Sequence, residues 1–136
     1  MSIKNVYEQN VRSYHYKQYN EKVLYVTKDL HIIMMYKKGL GLRNKKCVLW
    51  GYGSYGVTRD PEFDLYIPSL LDRGFIFCIG YVRGGGRHGH RWYNEGRLMN
   101  KMNSFTDFID CAKYLIKYNY TTSKRLAIWG RSAGGL

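Results

Sequence analysis

Gly130-Arg131-Ser132-Ala133-Gly134 places a serine between two glycines, each two positions away, directly after the apolar run Leu126-Ala127-Ile128-Trp129. A serine hydroxyl is a poor nucleophile near neutral pH. Chemistry at Ser132 would need a base, an orienting acid and donors aimed at a developing oxyanion. The spacing meets a prior requirement, exposure of the nucleophile. Glycines at 130 and 134 let backbones pack tightly enough for a sharp strand-to-helix turn that lifts Oγ into the open. A five-residue motif is short, so its surroundings must support it.

The elements upstream have the order such a turn requires. Residues 126–129 read as a buried strand, and Thr121-Thr122-Ser123-Lys124 before them as a polar turn. Ahead of that turn, 104–118 reads as a helix, with Phe105, Phe108, Ile109, Ala112, Leu115 and Ile116 at helical spacing. Ser104 followed by Asp107 reads as a capping box at its start. Nearer the front, 22–26 and 32–36 read as a hairpin around Lys28-Asp29-Leu30, and 47–50 as a short buried strand. Pro68 allows a short helix up to Asp72, which Arg73-Gly74 closes, and 75–81 reads as a central strand, apolar on both faces. Two early strands followed by strands alternating with helices predict an α/β sheet, mostly parallel.

Two glycine loops interrupt this alternation. Gly51-Tyr52-Gly53-Ser54-Tyr55-Gly56 follows a strand, and its glycines predict a close approach of backbone to something. Gly51-x-Gly53-x-x-Gly56 matches a dinucleotide pattern, but Asp60-Pro61 and Pro68 interrupt the helix that pyrophosphate binding needs, and no P-loop Lys-Ser/Thr follows. Arg83-Gly84-Gly85-Gly86 reads as a flexible loop. His88-Gly89-His90 lacks a third ligand at a familiar spacing and reads as surface histidines. Neither a metal nor a cofactor is expected.

The chain has 136 residues, 45% of them hydrophobic, enough for a modest core in one domain. It contains no run long enough to span a membrane, and its Tyr- and Asn-rich first twenty residues do not read as a secretory signal. Cys47, Cys78 and Cys111 are widely spaced and read as reduced core thiols of a cytoplasmic protein. The net charge of +12 is spread along the chain, densest over 37–46 and 83–97, and reads as solvated loops. Without an RNP-type aromatic motif or repeated Arg-Gly-Gly, nucleic-acid binding is a minor expectation.

Six separated motifs, Gly51-Tyr52-Gly53-Ser54-Tyr55-Gly56, Asp72-Arg73-Gly74, Arg83-Gly84-Gly85-Gly86, Trp92-Tyr93, Asn103-x-Phe105-x-Asp107-Phe108 and Gly130-Arg131-Ser132-Ala133-Gly134-Gly135, occur in the order and spacing of the prolyl oligopeptidase family of serine peptidases. The resemblance covers about residues 22–136 and is strongest from Trp50 onward. Gly-Tyr-Gly-Ser-Tyr-Gly and Arg-Ser-Ala-Gly-Gly resemble the oligopeptidase B branch more than the proline-specific one.

The resemblance implies a partial α/β-hydrolase fold over 22–136, the N-terminal part of a catalytic domain, after an irregular leading segment over 1–21. It implies Ser132 as nucleophile, Tyr52 as side-chain oxyanion donor and the Ala133 N–H as second donor. The implied reaction is hydrolysis of short peptides, after Lys or Arg. In the family a Glu usually follows the glycines of the third motif, where Arg87-His88 stand here. Family members carry a β-propeller domain ahead of the catalytic one. The triad Asp and His, and the acidic residues that select Lys or Arg, would lie beyond Leu136, so this chain is expected to be inactive alone. Its elbow strand would then be an exposed apolar edge open to self-association. The rival readings are a post-proline endopeptidase, an esterase of the same fold, which would show His-Gly-Gly-Gly where Tyr52 stands, and a non-catalytic basic binding module.

Overall fold

A computed structural model of the chain describes residues 14–61 and 64–136. Residues 1–13, most of the expected leading segment, lie outside the described residues. The hairpin forms as expected from β1 (Tyr19–Tyr25) and β2 (His31–Lys37), in register from Tyr19 opposite Lys37 to Tyr25 opposite His31. Its turn closes through Val26 N–H to the Leu30 carbonyl (2.9 Å) and Leu30 N–H to Thr27 Oγ1 (3.0 Å).

After the basic connection come β3 (Cys47–Gly51), α1 (Tyr66–Asp72), β4 (Ile76–Gly80), α2 (Gly89–Asn94), α3 (Met102–Lys117) and β5 (Leu126–Gly130). The sheet order is β1-β2-β4-β3-β5. β3 pairs in parallel with both β4 and β5, and the hairpin joins antiparallel through β2 and β4, so the sheet is mixed. Among the described residues no helix is long and apolar enough to cross a membrane.

Strand alternation divides the core into two layers. Ile32, Met34, Cys47, Leu49, Ile76 and Cys78 face Cys111 and Leu115 of α3 and Trp92 of α2. Ile33, Met35, Val48, Trp50, Phe77 and Ile79 face Ile67 and Leu71 of α1. Full burial of each large side chain contributes about 1.5–3 kcal/mol. This explains why strands apolar on both faces occupy the middle of the sheet. All three cysteines are buried and unbridged, with Cys47 and Cys78 sulfurs 3.8 Å apart, and burial pushes the Cys78 and Cys111 thiols up. β5 stands at the sheet edge, pairing with β3 alone among the described strands, with Ala127 and Ile128 exposed.

Two local readings need correction. Ser104 and Asp107 do not form a capping box. α3 begins at Met102, Lys101 is its N-cap, and no side chain caps it. Ser104 and Asp107 are instead buried, and their polar atoms are taken up by neighbouring loops. The histidine segment is not simply a glycine loop either. His88 precedes α2 and His90 lies within it, and Trp92 anchors that helix by burying its ring and donating Nε1–H to the Tyr81 carbonyl (3.2 Å).

Candidate active site

β3 and β5 end level with each other, Gly51 pairing with Gly130. The chain leaves the sheet at both points, so Tyr52 and Arg131-Ser132 emerge side by side at the carboxyl ends of parallel strands, where open α/β sheets place their ligands. Beyond β5 the backbone turns sharply. Ser132 has φ +54°, a sparsely populated conformation for a residue with a side chain, and it opens a short 3-10 turn, Ser132–Gly135. A Cβ on Gly130 would lie 1.8 Å from the Gly134 carbonyl oxygen. One on Gly134 would lie 2.7 Å from the Gly51 oxygen and 3.0 Å from Tyr52 Cα. Both glycines of the pentapeptide are therefore required by contact. The turn they allow leaves Ser132 exposed and its hydroxyl without a hydrogen bond among the described residues.

Tyr52 is half-buried, its ring stacked on Trp50 with centroids 6.3 Å apart and planes 7° from parallel. Its hydroxyl makes no hydrogen bond among the described residues. Tyr52, Ala133 and Gly134 line one cleft of about 470 Å³, walled further by Lys101, Phe105 and Ile128. The histidines are engaged elsewhere. His31 stacks on Tyr81 (4.8 Å), His88 Nε2 lies 2.7 Å from the Asp29 carbonyl oxygen, and His90 packs against Tyr93. Burial pushes the His31 imidazole below its ordinary pKa. His15 precedes the 3-10 turn Tyr16–Gln18 ahead of β1. No described contact joins any of these histidines to Ser132.

The two glycine loops interlock. A Cβ on Gly84 would fall 2.1 Å from the Gly53 carbonyl oxygen, and one on Gly86 would fall 2.1 Å from that of Gly56. The close approach expected at Gly51–Gly56 is made by the second loop, and Gly84 and Gly85, read as flexible, are buried. After the first loop the next described helix, α1, begins at Tyr66.

The start of α3 pins both loops. Ser104 Oγ lies 2.5 Å from the Arg83 carbonyl oxygen, 3.1 Å from that of Gly96 and 3.3 Å from that of Gly53. Lys101 Nζ donates to the Gly53 carbonyl (2.5 Å) and to Ser54 Oγ (2.8 Å). Asp107 accepts from the Arg83 backbone N–H (2.9 Å), from Nε (2.8 Å) and from Nη2 (2.5 Å), and this pairing raises the Arg83 pKa. Sequence reasoning passed over Lys101 and misassigned Ser104 and Asp107. The available signal was their i, i+3 spacing on one face of the helix.

Residues 61–136 match the model of the prolyl oligopeptidase family. Among curated proteins, the chain is 44% identical over 106 residues to dipeptidyl aminopeptidase BI of Pseudoxanthomonas mexicana, covering 77% of this chain and 15% of that protein. It is 52% identical over 89 residues to protease 2 of Moraxella lacunata, covering 65% of this chain and 13% of that protein. The chain thus spans about one seventh of the length of these relatives. Among solved structures, oligopeptidase B from Leishmania major superposes with a TM-score of 0.83 at 38% identity, over 88% of this chain and 17% of that one. The sheet, its helices and the sharp turn at Ser132 are part of an α/β-hydrolase fold, and the chain belongs to the prolyl oligopeptidase family of peptidases.

Proposed function

We propose that this chain provides the nucleophile and oxyanion hole of a cytosolic serine peptidase that hydrolyses short peptides. The carrying observation is an exposed Ser132 held at φ +54° just after β5, while Tyr52, whose hydroxyl has no hydrogen bond among the described residues, follows the end of β3 that pairs with β5. Ser132 Oγ attacks the scissile carbonyl carbon while a base takes its proton. The carbonyl oxygen becomes an oxyanion, which accepts hydrogen bonds from the Tyr52 hydroxyl and the Ala133 N–H. The C–N bond then breaks, the amine leaves with the proton, and water hydrolyses the acyl-enzyme. His31, His88 and His90 make their described contacts away from Ser132, and no described contact joins a histidine to it. Three buried, unbridged thiols fit a reducing compartment.

Cleavage after Lys or Arg is what the resemblance of residues 51–56 and 131–135 to the oligopeptidase B branch implies. The test compares short peptide amides with Arg, Lys or Pro before the scissile bond, using the longest product of the gene that contains this chain. We expect kcat/KM for Arg and Lys to exceed that for Pro by at least about tenfold, a difference of about 1.4 kcal/mol in the transition state. A preference for Pro would assign the post-proline branch, and hydrolysis of esters alone would assign an esterase.

The open side of β5 also supports self-association of the 136-residue chain, since that side pairs with no strand among the described residues and Ile128 is 69% exposed. Ile128→Lys should shift its sedimentation toward monomer. An unchanged distribution would count against pairing at this edge.

A further inference from the structure

We infer that Lys101 is a positioning residue for Tyr52: its ammonium holds the Gly53 carbonyl and the Ser54 hydroxyl, and so fixes the loop immediately after Tyr52, on which the aim of the Tyr52 side chain at the oxyanion depends. The inference rests on the reading of Tyr52 as oxyanion donor. The Tyr52 hydroxyl has no partner among the described residues, so its aim is set by the Trp50 stack and by the backbone on either side. On the N-terminal side that backbone is fixed by the pairing of β3 with β5.

On the C-terminal side, the described side chains within reach of the Gly53 carbonyl are Lys101 and Ser104. A serine hydroxyl has one proton to give. Its shortest contact is the Arg83 carbonyl oxygen at 2.5 Å, against 3.3 Å to Gly53. Among the described side chains, the Gly53 carbonyl therefore takes its main hydrogen bond from Lys101. The ammonium's three protons match three acceptors, the Gly53 carbonyl, Ser54 Oγ and Ser104 Oγ, the last at 3.3 Å.

Lys101 forms no ion pair among the described residues, and burial lowers its pKa. It lines the same cleft as Tyr52 and Ala133. A partly buried lysine without a carboxylate, whose two shortest hydrogen bonds both go to one loop, fits a role in shaping that loop better than a surface charge.

A double-mutant cycle in the longest gene product, read as kcat and KM on a short peptide amide, tests this. Tyr52→Phe should lower kcat by about 100-fold, as loss of an oxyanion donor does. Lys101→Met should lower kcat by about 10- to 100-fold through misplacement of that donor, with KM little changed. The double variant should be no slower than Tyr52→Phe alone, within about twofold, because Lys101 acts through the hydroxyl already removed.

If the two losses multiply instead, Lys101 acts independently of Tyr52 and the inference is wrong. If Tyr52→Phe is costly and Lys101→Met is not, the inference fails while the reading of Tyr52 stands. If Tyr52→Phe costs nothing, both fail. Should Lys101→Met not fold, Lys101→Gln takes its place in the same cycle, since it removes the charge while keeping an amide donor.

Discussion

Ser132→Ala should remove peptide-bond hydrolysis from the longest gene product, lowering kcat by about 10⁶-fold, while the variant melts within a degree or so of the parent. The activity loss has the size expected when the attacking atom itself is deleted, since no neighbouring group can form the acyl-enzyme in its place. The unchanged melting follows from the geometry. Ser132 is exposed and its hydroxyl bonds to nothing among the described residues, so truncation removes no contact to them, and a single exposed hydrogen bond to the base adds little stability. The strain of φ +54° is retained, because alanine carries the same Cβ. Steady-state kinetics and a thermal melt on the same preparations check both halves. Retained hydrolysis would remove Ser132 from the chemistry. Lost hydrolysis with a large fall in Tm would mean that the residue acts through folding.

Asp107→Ala should be the most destabilising single change near the site, by about 3 kcal/mol or roughly 10 °C in Tm. Asp107 is 4% exposed and satisfies the Arg83 backbone N–H together with two guanidinium nitrogens. Its removal leaves a donor on a buried loop unpaired and a guanidinium without its counter-charge. The Arg83 side chain retains 27% exposure, so water recovers part of the loss and the effect falls at the low end of the range for broken buried pairs. Arg83 precedes the glycines that interlock with the first loop, so the same variant should loosen Gly51–Gly56. A melt of the 136-residue chain decides it. A change below about 1 kcal/mol would mean that the pair behaves like a surface ion pair.

The strands and the sharp turn were legible because local rules determine them. Cys47–Gly51 and Ile76–Gly80 are short apolar runs buried on both faces, and the hairpin alternates around a compact turn. The Gly-x-Ser-x-Gly spacing predicts tight backbone contact, and Gly130 and Gly134 are where a Cβ would collide. α2 was missed because a glycine, histidine and arginine run hides a helix whose buried contact is Trp92 alone. Ser104 and Asp107 misled for a different reason. Ser-x-x-Asp at a helix start has the same spacing whether it caps its own helix or faces inward toward two loops. The choice between them depends on Gly53, Arg83 and Gly96 arriving from elsewhere in the chain. The interlocked glycines are non-local in the same way, since Gly53 and Gly84 are brought together only when β3 and β4 pair.

The most direct test of the account is labelling with a fluorophosphonate probe, followed by peptide mapping, of both the 136-residue chain and the longest gene product that contains it. The account predicts covalent modification at Ser132 in the longer product, where a base can reach its hydroxyl, and little or none in the shorter chain, whose described histidines lie elsewhere. Absence of label at Ser132 in both, or label at a different serine, would contradict it.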